Sequence, residues 1–186
     1  SYRKAGKTIA LVPTMGALHR GHMSLVEVAK RHADVTVMSI FVNPTQFNVK
    51  EDLKNYPRPL ESDLAQAKEA GVDLVFTPLT EQIYPRLDHP DSEVTRVLAG
   101  ATSRGLCGAA RPGHFDGVVR VVSILFNLLQ PDCAVFGEKD YQQLKVIEQM
   151  VRDLHYPVRI VPAPLVRDFD GLALSSRNVR LSPAER

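Results

Sequence analysis

Five short apolar runs alternate with longer amphipathic segments along the chain, and this alternation constrains the fold more than any other feature. The apolar runs predict strands at residues 8–12, 34–42, 72–76, 133–136 and 158–161. Three amphipathic segments predict helices at residues 21–31, 59–70 and 141–154, and a longer apolar segment predicts a helix at residues 115–129. Strands separated by helices of this length form parallel sheets, because a parallel pair needs a long crossover connection. The sequence therefore predicts an α/β fold, with one parallel sheet covered by helices on both faces.

Two regions fit this alternation less simply. Residues 81–113 are irregular and rich in proline and glycine, so we expect loops there, with one short strand near residues 93–98. Residues 115–129 contain several valines, which suit a strand, but the length of the segment favours a helix. Because this segment is apolar on most sides, we expect the helix to be buried in the middle of the protein.

Composition excludes several classes of function. Of the 186 residues, 44% are hydrophobic and 24% are charged, which is ordinary for a globular protein. A net charge of +2 argues against a general nucleic-acid binder but allows a local basic pocket for phosphates. Cys107 and Cys133 are far apart, and we interpret them as free thiols. Without a signal peptide or an apolar run of membrane-spanning length, we expect a cytoplasmic protein that binds no membrane, with a trimmed N-terminus at Ser1.

Unusual polar segments follow three of the predicted strands. PTMGALHRGH, residues 13–22, follows the first strand; NPTQF, residues 43–47, follows the second; GEKD, residues 137–140, follows the fourth. In parallel α/β sheets, ligands bind outside the carboxyl ends of the strands. We therefore expect these three segments to form one shared site.

The first of these segments places two histidines at the start of a predicted helix. His19 and His22 lie three residues apart, and Gly16 and Gly21 allow close backbone approach. Free N–H groups and a partial positive charge at a helix N-terminus suit phosphate oxygens, and two imidazoles there can donate further hydrogen bonds. Two alternatives remain open: His19 caps the helix while His22 lies on the surface, or the pair binds zinc.

Other polar residues have both a functional and an ordinary interpretation. Lys139 could neutralise phosphate charge and Asp140 could hold magnesium, or the segment is a solvated turn in which Asp140 caps the next helix. Ser175 and Ser176 could donate to phosphate while Arg177 clamps it, or all three lie in a loop with local backbone bonds.

The candidate substrate-binding residues also have both a functional and an ordinary interpretation. Asn43 and Gln46 could bind a substrate carboxylate or hydroxyl, or simply end a strand. Arg111 could reach over a ligand from a mobile loop, or lead into a helix. Asp63 and Gln66 lie one helical turn apart, which is typical of a solvated face, and we interpret Gln66 in that way. Since GxxxxGK[ST], GxGxxG and GxSxG are all missing, a nucleotide site here must use the histidine turn.

Six ordered segments carry a specific resemblance. They are PTMGALHRGH, IFVNPTQF, NYPRPLESDL, RPGHFDGV, VFGEKDYQQL and DGLALSSRN, and together they extend over nearly the whole chain. In this order they resemble the pantothenate synthetase family. The H-x-G-H element alone would indicate only the wider superfamily of nucleotidyltransferases with the HIGH signature.

This resemblance implies a fold and a domain organisation. It implies a Rossmann-like, doubly wound parallel sheet over residues 1–181, which binds nucleotide and pantoate. It also implies a smaller C-terminal lid domain, absent from this chain except for its start at residues 182–186. There, Ser182 as N-cap, Pro183 at the first helical position and Glu185 at the third are typical of a helix start. The family resemblance further implies a homodimer.

The resemblance also implies a reaction with ATP and magnesium. Pantoate and ATP form pantoyl adenylate and pyrophosphate, and β-alanine then attacks the adenylate to give pantothenate and AMP. The implied catalytic residues are His19, His22, Lys139 and Arg177. The implied ATP-binding residues are Pro13, Met15, Gly16, His19, His22, Gly137, Lys139, Asp140, Val166, Leu174, Ser175, Ser176 and Arg177. The implied substrate-binding residues are Gln46, Gln143, Met15, Asn43 and Arg111. The implied magnesium ligands are Asp63 and Asp140.

Two other functions remain open at this point. The chain could be another nucleotidyltransferase with the HIGH signature, which would not use pantoate. Alternatively it could bind ATP without catalysis, because the lid is missing. Pantoate-dependent release of pyrophosphate distinguishes all three functions.

Overall fold

The computed structural model describes residues 2–89 and 94–186, and its centre is one parallel sheet of five strands. The strands are β1 (Ile9–Thr14), β2 (Val35–Ile40), β3 (Leu74–Phe76), β4 (Cys133–Gly137) and β5 (Arg159–Ala163). Their order across the sheet is β3-β2-β1-β4-β5, so β1 lies in the middle. In register, Leu11 of β1 pairs with Val37 of β2 on one side and with Ala134 of β4 on the other. The predicted parallel sheet is confirmed, with each strand end within two residues of its predicted position.

Seven α-helices are described in residues 2–89 and 94–186. They are α1 (Arg20–Lys30), α2 (Lys50–Lys54), α3 (Leu60–Glu69), α4 (Thr80–Ile83), α5 (Leu106–Ala110), α6 (His114–Leu129) and α7 (Tyr141–Asp153). Short 3-10 helices lie at Arg3–Ala5, Pro44–Gln46, Ala101–Ser103, Glu138–Asp140 and Asn178–Arg180. The four predicted helices correspond to α1, α3, α6 and α7, and none of these seven helices combines the length and apolar character needed to cross a bilayer.

Alternating side chains of β1 divide the core into two layers. Ile9 and Leu11 pack into a cluster with residues of α6 and α7, on one face of the sheet. Ala10 and Val12 pack into a second cluster with residues of α1 and α3, on the other face. Strand side chains point alternately to opposite faces, so a continuous apolar run supplies both layers. Helix α6 buries ten of its residues, as expected for the valine-rich segment predicted to be a central helix.

Two details of the prediction differ from the structure. Residues 94–98 form no strand, and the start of the strand predicted near residues 93–98 lies outside the described residues. Instead of loops alone, the region from residue 80 to 110 contains α4, α5 and a 3-10 helix. At the other end of the chain, the backbone N–H and Oγ of Ser182 both donate to Oε2 of Glu185 at 2.8 Å, but residues 183–185 form a turn where the sequence predicted the start of a helix.

Helix α6 passes so close to the Pro44–Gln46 turn that only glycine fits at the crossing. A Cβ on Gly117 would lie 2.4 Å from the carbonyl oxygen of Thr45 and 2.7 Å from the nitrogen of Gln46, both backbone atoms. We therefore expect Gly117→Ala to lower the free energy of unfolding by about 1–3 kcal/mol, measured by urea denaturation. Gly137→Ala is the matched control, because the nearest atom to its Cβ would be a leucine side chain at 3.8 Å. Equal losses in the two variants would contradict the close crossing.

Candidate active site

A cavity opens at the carboxyl ends of β1 and β4. At this point the order of strands changes direction, because β2 and β3 lie on one side of β1 whereas β4 and β5 lie on the other. This is the position at which open α/β sheets bind ligands. The cavity encloses roughly 1240 Å³ when the space open to solvent is included. All three polar segments that follow the predicted strands contribute to its lining. The sequence-predicted site residues that line it are Pro13, Met15, His19, His22, Asn43, Gln46, Gly137, Lys139, Asp140, Gln143, Val166, Leu174, Ser175, Ser176 and Arg177.

The histidine turn holds both imidazole rings through their Nδ1 atoms. His19 is the N-cap of α1, and its Nδ1 accepts the backbone N–H of Gly21 at 3.1 Å. The Nδ1 of His22 accepts the backbone N–H of His19 at 3.2 Å. A ring nitrogen that accepts a hydrogen bond carries no proton, so each ring is neutral with its proton on Nε2. The site therefore contains two neutral N–H donors, and His19 serves as both helix cap and cavity residue.

The surroundings of the two rings favour this neutral state. Burial lowers the pKa of His22 to about 3, and the nearby His19 and Lys139 contribute to the same shift. Burial also lowers the pKa of His19, with a contribution from the positive charge of Lys139. The zinc alternative lacks a third ligand, because in residues 2–89 and 94–186 no cluster of three His, Cys, Asp or Glu side chains could hold a metal.

Two cationic side chains, those of Lys139 and Arg177, line the cavity. The Lys139 Nζ lies 3.3 Å from Oδ1 of Asp140, in the turn between β4 and α7. The guanidinium of Arg177 pairs with Oδ2 of Asp52 at 2.8 Å and lies 5.4 Å from the ring centre of Tyr56. Lys139 is close enough to the two imidazoles to lower their pKa values, and Arg177 adds a second positive charge to the cavity lining. Such charges and N–H donors suit a phosphate chain.

An amide pair fixes the donor groups at the other side of the cavity. The Asn43 side chain is only 1% exposed; its Nδ2 donates to the carbonyl of Gly117 at 3.1 Å and to Oε1 of Gln46 at 2.9 Å. Its Oδ1 accepts the hydroxyl of Tyr84 at 2.8 Å. Since Oε1 of Gln46 accepts from Asn43, the Gln46 NH₂ group points towards Met15, whose Sδ lies 3.3 Å away. Asn43 thus orients Gln46, and Gln46 presents a donor to the cavity.

Three predicted site residues do not line the cavity. Arg111 donates from Nη2 to the carbonyl of Gln46 at 3.2 Å, so it braces the turn that carries Gln46. Gly16 adopts a left-handed backbone, with φ of 79°, within the histidine turn.

Asp63, the third, was predicted to bind magnesium, but its geometry does not fit that role. It is 1% exposed, and its two carboxylate oxygens accept the backbone N–H groups of Ala17 and Leu18 at 2.9 and 2.8 Å. Both oxygens are therefore already engaged by the protein backbone.

Some lining residues were missed by sequence reasoning. The hydroxyl of Tyr56 lies 3.3 Å from Oγ of Ser176, and its ring faces the guanidinium of Arg177. Tyr56 lies within NYPRPLESDL, one of the six segments that carry the family resemblance, so that resemblance could have indicated it as a site residue. The apolar wall from Val118, Val121 and Val122 of α6 gave no signal, because a buried helix that is apolar on most sides does not reveal which face meets a ligand.

A comparison with known proteins now decides the family. The model of the pantoate-beta-alanine ligase family matches residues 1–186. The chain belongs to this family. A pantothenate synthetase of Psychrobacter sp. strain PRwf-1 is 61% identical over 183 residues, which cover 98% of this chain and 63% of the relative. The chain thus spans less than two thirds of the length of this ligase-family relative.

Solved structures of the ligase family share the fold. Pantothenate synthetase from Thermus thermophilus superposes with a TM-score of 0.87 at 55% identity, covering 95% of this chain and 63% of that one. The Francisella tularensis ligase, solved in complex with beta-gamma ATP and beta-alanine, gives a TM-score of 0.89 at 42% identity, covering 96% and 67%. The predicted Rossmann-like α/β fold and family membership are confirmed.

Proposed function

We propose that this chain carries the ATP- and pantoate-binding site of an AMP-forming ligase, which joins pantoate to β-alanine. The observation that carries the proposal is the meeting, in one cavity, of two neutral imidazole donors, Lys139 and the oriented amide of Gln46. Two of the relatives named above are pantothenate synthetases, and the Francisella tularensis ligase was solved in complex with beta-gamma ATP and beta-alanine. These similarities support the same substrates here.

The nucleotide would lie along the histidine turn and the loop of residues 174–177. His19 and His22 would donate from Nε2 to the phosphate chain, while Lys139 and Arg177 would supply positive charge. Arg177 must then exchange Asp52 for a phosphate oxygen. Donors of this kind stabilise charge that develops on phosphate oxygens in the transition state, and they need no reorganisation when they are already fixed.

Pantoate would lie between the nucleotide and the amide pair. The Gln46 NH₂ group, and Gln143 on α7, would hold its carboxylate and hydroxyl oxygens beside Met15. Its carboxylate oxygen would attack the α-phosphorus of ATP, and the bond to pyrophosphate would break. The amine of β-alanine would then attack the acyl carbon of pantoyl adenylate and release AMP. Fixed positions and a shielded adenylate would provide most of the rate enhancement, because no covalent enzyme intermediate is needed.

Magnesium fits one side chain of this cavity. Asp140 lines the cavity, and its side chain is 60% exposed beside Lys139. Magnesium in nucleotide sites is usually held by one or two carboxylates together with substrate phosphates and water. Asp140 would supply the carboxylate, and the ion would offset phosphate charge.

The organisation of the full protein follows from the same proposal. Residues 1–181 would form the nucleotide- and pantoate-binding domain, and residues 182–186 would begin the lid. A cytoplasmic homodimer accords with the family resemblance and with two cysteines that form no disulfide.

Release of pyrophosphate from ATP and magnesium, on addition of pantoate alone, tests the proposal. We expect a pantoate-dependent burst, because the first half-reaction needs only groups of this cavity. Gln46→Glu is the control: its carboxylate would repel that of pantoate, raise the KM for pantoate at least tenfold and leave ATP binding intact.

Other outcomes would overturn the proposal. ATP binding without release would indicate a non-catalytic module. Release with an acceptor other than pantoate would indicate another nucleotidyltransferase. Binding of neither ATP nor pantoate would contradict the site itself.

A further inference from the structure

Asp63 is a buried carboxylate that the proposed mechanism does not use. It lies in the first turn of α3, where its neighbours Glu61, Ser62 and Leu64 are exposed, yet it is itself 1% exposed. Its oxygens accept two consecutive backbone N–H groups, those of Ala17 and Leu18. The burial of an acidic group demands such compensation. The contacts therefore tie α3 to the connection between β1 and α1.

The backbone that Asp63 holds is unusual. Gly16 and Ala17 both have left-handed conformations, with φ of 79° and 50°. Such a backbone costs a residue with a Cβ about 1–2 kcal/mol, so Ala17 needs surrounding contacts to keep it there. Gly16 leaves room for the carboxylate, because a Cβ on it would lie 2.8 Å from Oδ2 of Asp63.

The connection that Asp63 fixes ends at the histidine pair. Leu18, whose N–H donates to Oδ1, directly precedes His19. The conformation of residues 17 and 18 sets the direction in which the chain enters α1. It therefore sets where the His19 ring caps the helix and where the backbone N–H of His19 meets the ring of His22.

We propose that Asp63 is a positioning residue for the adenylation step. It holds the Ala17 and Leu18 backbone, so that His19 and His22 present Nε2–H to the nucleotide. A carboxylate suits this place because it can accept both N–H groups, whereas an amide can accept only one and turns its NH₂ group against the other. Only the expected effect of Asp63 on the rate of pyrophosphate release rests on the proposed function.

Asp63→Asn tests the inference with two readouts. A misplacement of about 1 Å near the reacting atoms costs roughly 100-fold in rate, so we expect pyrophosphate release to fall by about 100-fold. The KM for pantoate should stay within about twofold, because Gln46 is held by other contacts. In long-range proton–nitrogen NMR spectra without ATP, the His19 ring should lose its preference for the Nε2–H tautomer.

Asp73→Asn is the matched control. Oδ2 of Asp73 accepts the backbone N–H of Thr36 at 2.8 Å at the start of β2, far from the cavity along the sheet. Each variant replaces a carboxylate that accepts a backbone N–H with an amide. Only Asp63→Asn should change the rate of pyrophosphate release and the tautomer of the His19 ring. All assays are run at a temperature where circular dichroism shows each variant folded.

The possible outcomes separate the inference from the proposed function. If the wild-type chain releases no pyrophosphate, the proposed function fails, but the tautomer measurement still tests Asp63. An unchanged rate and tautomer in Asp63→Asn would overturn the inference, as would equal changes in Asp73→Asn. If Asp63→Asn does not fold, Ala17→Gly is added, because glycine adopts a positive φ at little cost. The rate of pyrophosphate release and the His19 tautomer are then compared between the double variant and Ala17→Gly alone.

Discussion

We expect the His19→Asn variant to stay folded while its rate of pyrophosphate release falls by about 100- to 1,000-fold. Asparagine is among the best N-cap residues, and its Oδ1 can accept the backbone N–H of Gly21 as Nδ1 of His19 does. It has no group at the position of Nε2, so the cavity loses one of the donors that we propose to bind the phosphate chain. Removing one such preorganised donor typically costs this much in rate. Pyrophosphate release and the urea midpoint measure the two effects.

His19→Gln provides the complementary control. The amide nitrogen of glutamine can approach the position of Nε2, but glutamine is a poor N-cap. We therefore expect this variant to keep more of the rate than His19→Asn and to be less stable. A wild-type rate in folded His19→Asn would contradict the donor role, as would a lower rate in His19→Gln than in His19→Asn.

Local periodicity explains why the framework of the fold was predictable. The apolar runs that form β1, β2 and β4 are short and bounded by polar turns, and the helices between them have apolar faces. The place of the cavity followed from the rule that ligands bind at the carboxyl ends of parallel strands. Short helices such as α4 and α5 were not predicted, because each covers about one helical turn and shows no clear period.

Contacts between distant parts of the chain explain what the sequence did not reveal. Asp63 has exposed neighbours in α3, so the local pattern indicates a solvated face, whereas its partners Ala17 and Leu18 lie more than forty residues earlier. Asn43 looked like a ligand contact, yet Gly117 and Tyr84 hold it as a support for Gln46. In both cases tertiary packing, which periodicity does not encode, decided what the polar group does.

The neutral state of His22 makes the stability of the chain depend on pH. Burial lowers the pKa of His22 to about 3 in the folded chain, whereas its ordinary value is 6.5. Between these two values the unfolded chain takes up a proton that the folded chain excludes. Above pH 6.5, His22 therefore does not reduce the free energy of unfolding. Between pH 6.5 and about 3, this one group lowers the free energy of unfolding by about 1.4 kcal/mol for each unit by which the pH falls. The lowered pKa values of His19 and His114 act in the same direction.

We expect urea denaturation to show that lowering the pH from about 7.5 to about 5.0 reduces the free energy of unfolding by at least about 2 kcal/mol. His22→Asn should remove about that much of the dependence, since Oδ1 of asparagine can accept the backbone N–H of His19 but takes up no proton. The remaining dependence in that variant comes from His19 and His114. An identical pH dependence in the wild-type chain and in His22→Asn would mean that the pKa of His22 is the same in the folded and the unfolded chain, so that the folded ring takes up a proton before pH 5.0 is reached. A ring that is buried and accepts the His19 N–H at Nδ1 resists protonation, so this result would contradict the burial and the hydrogen bond assigned to His22.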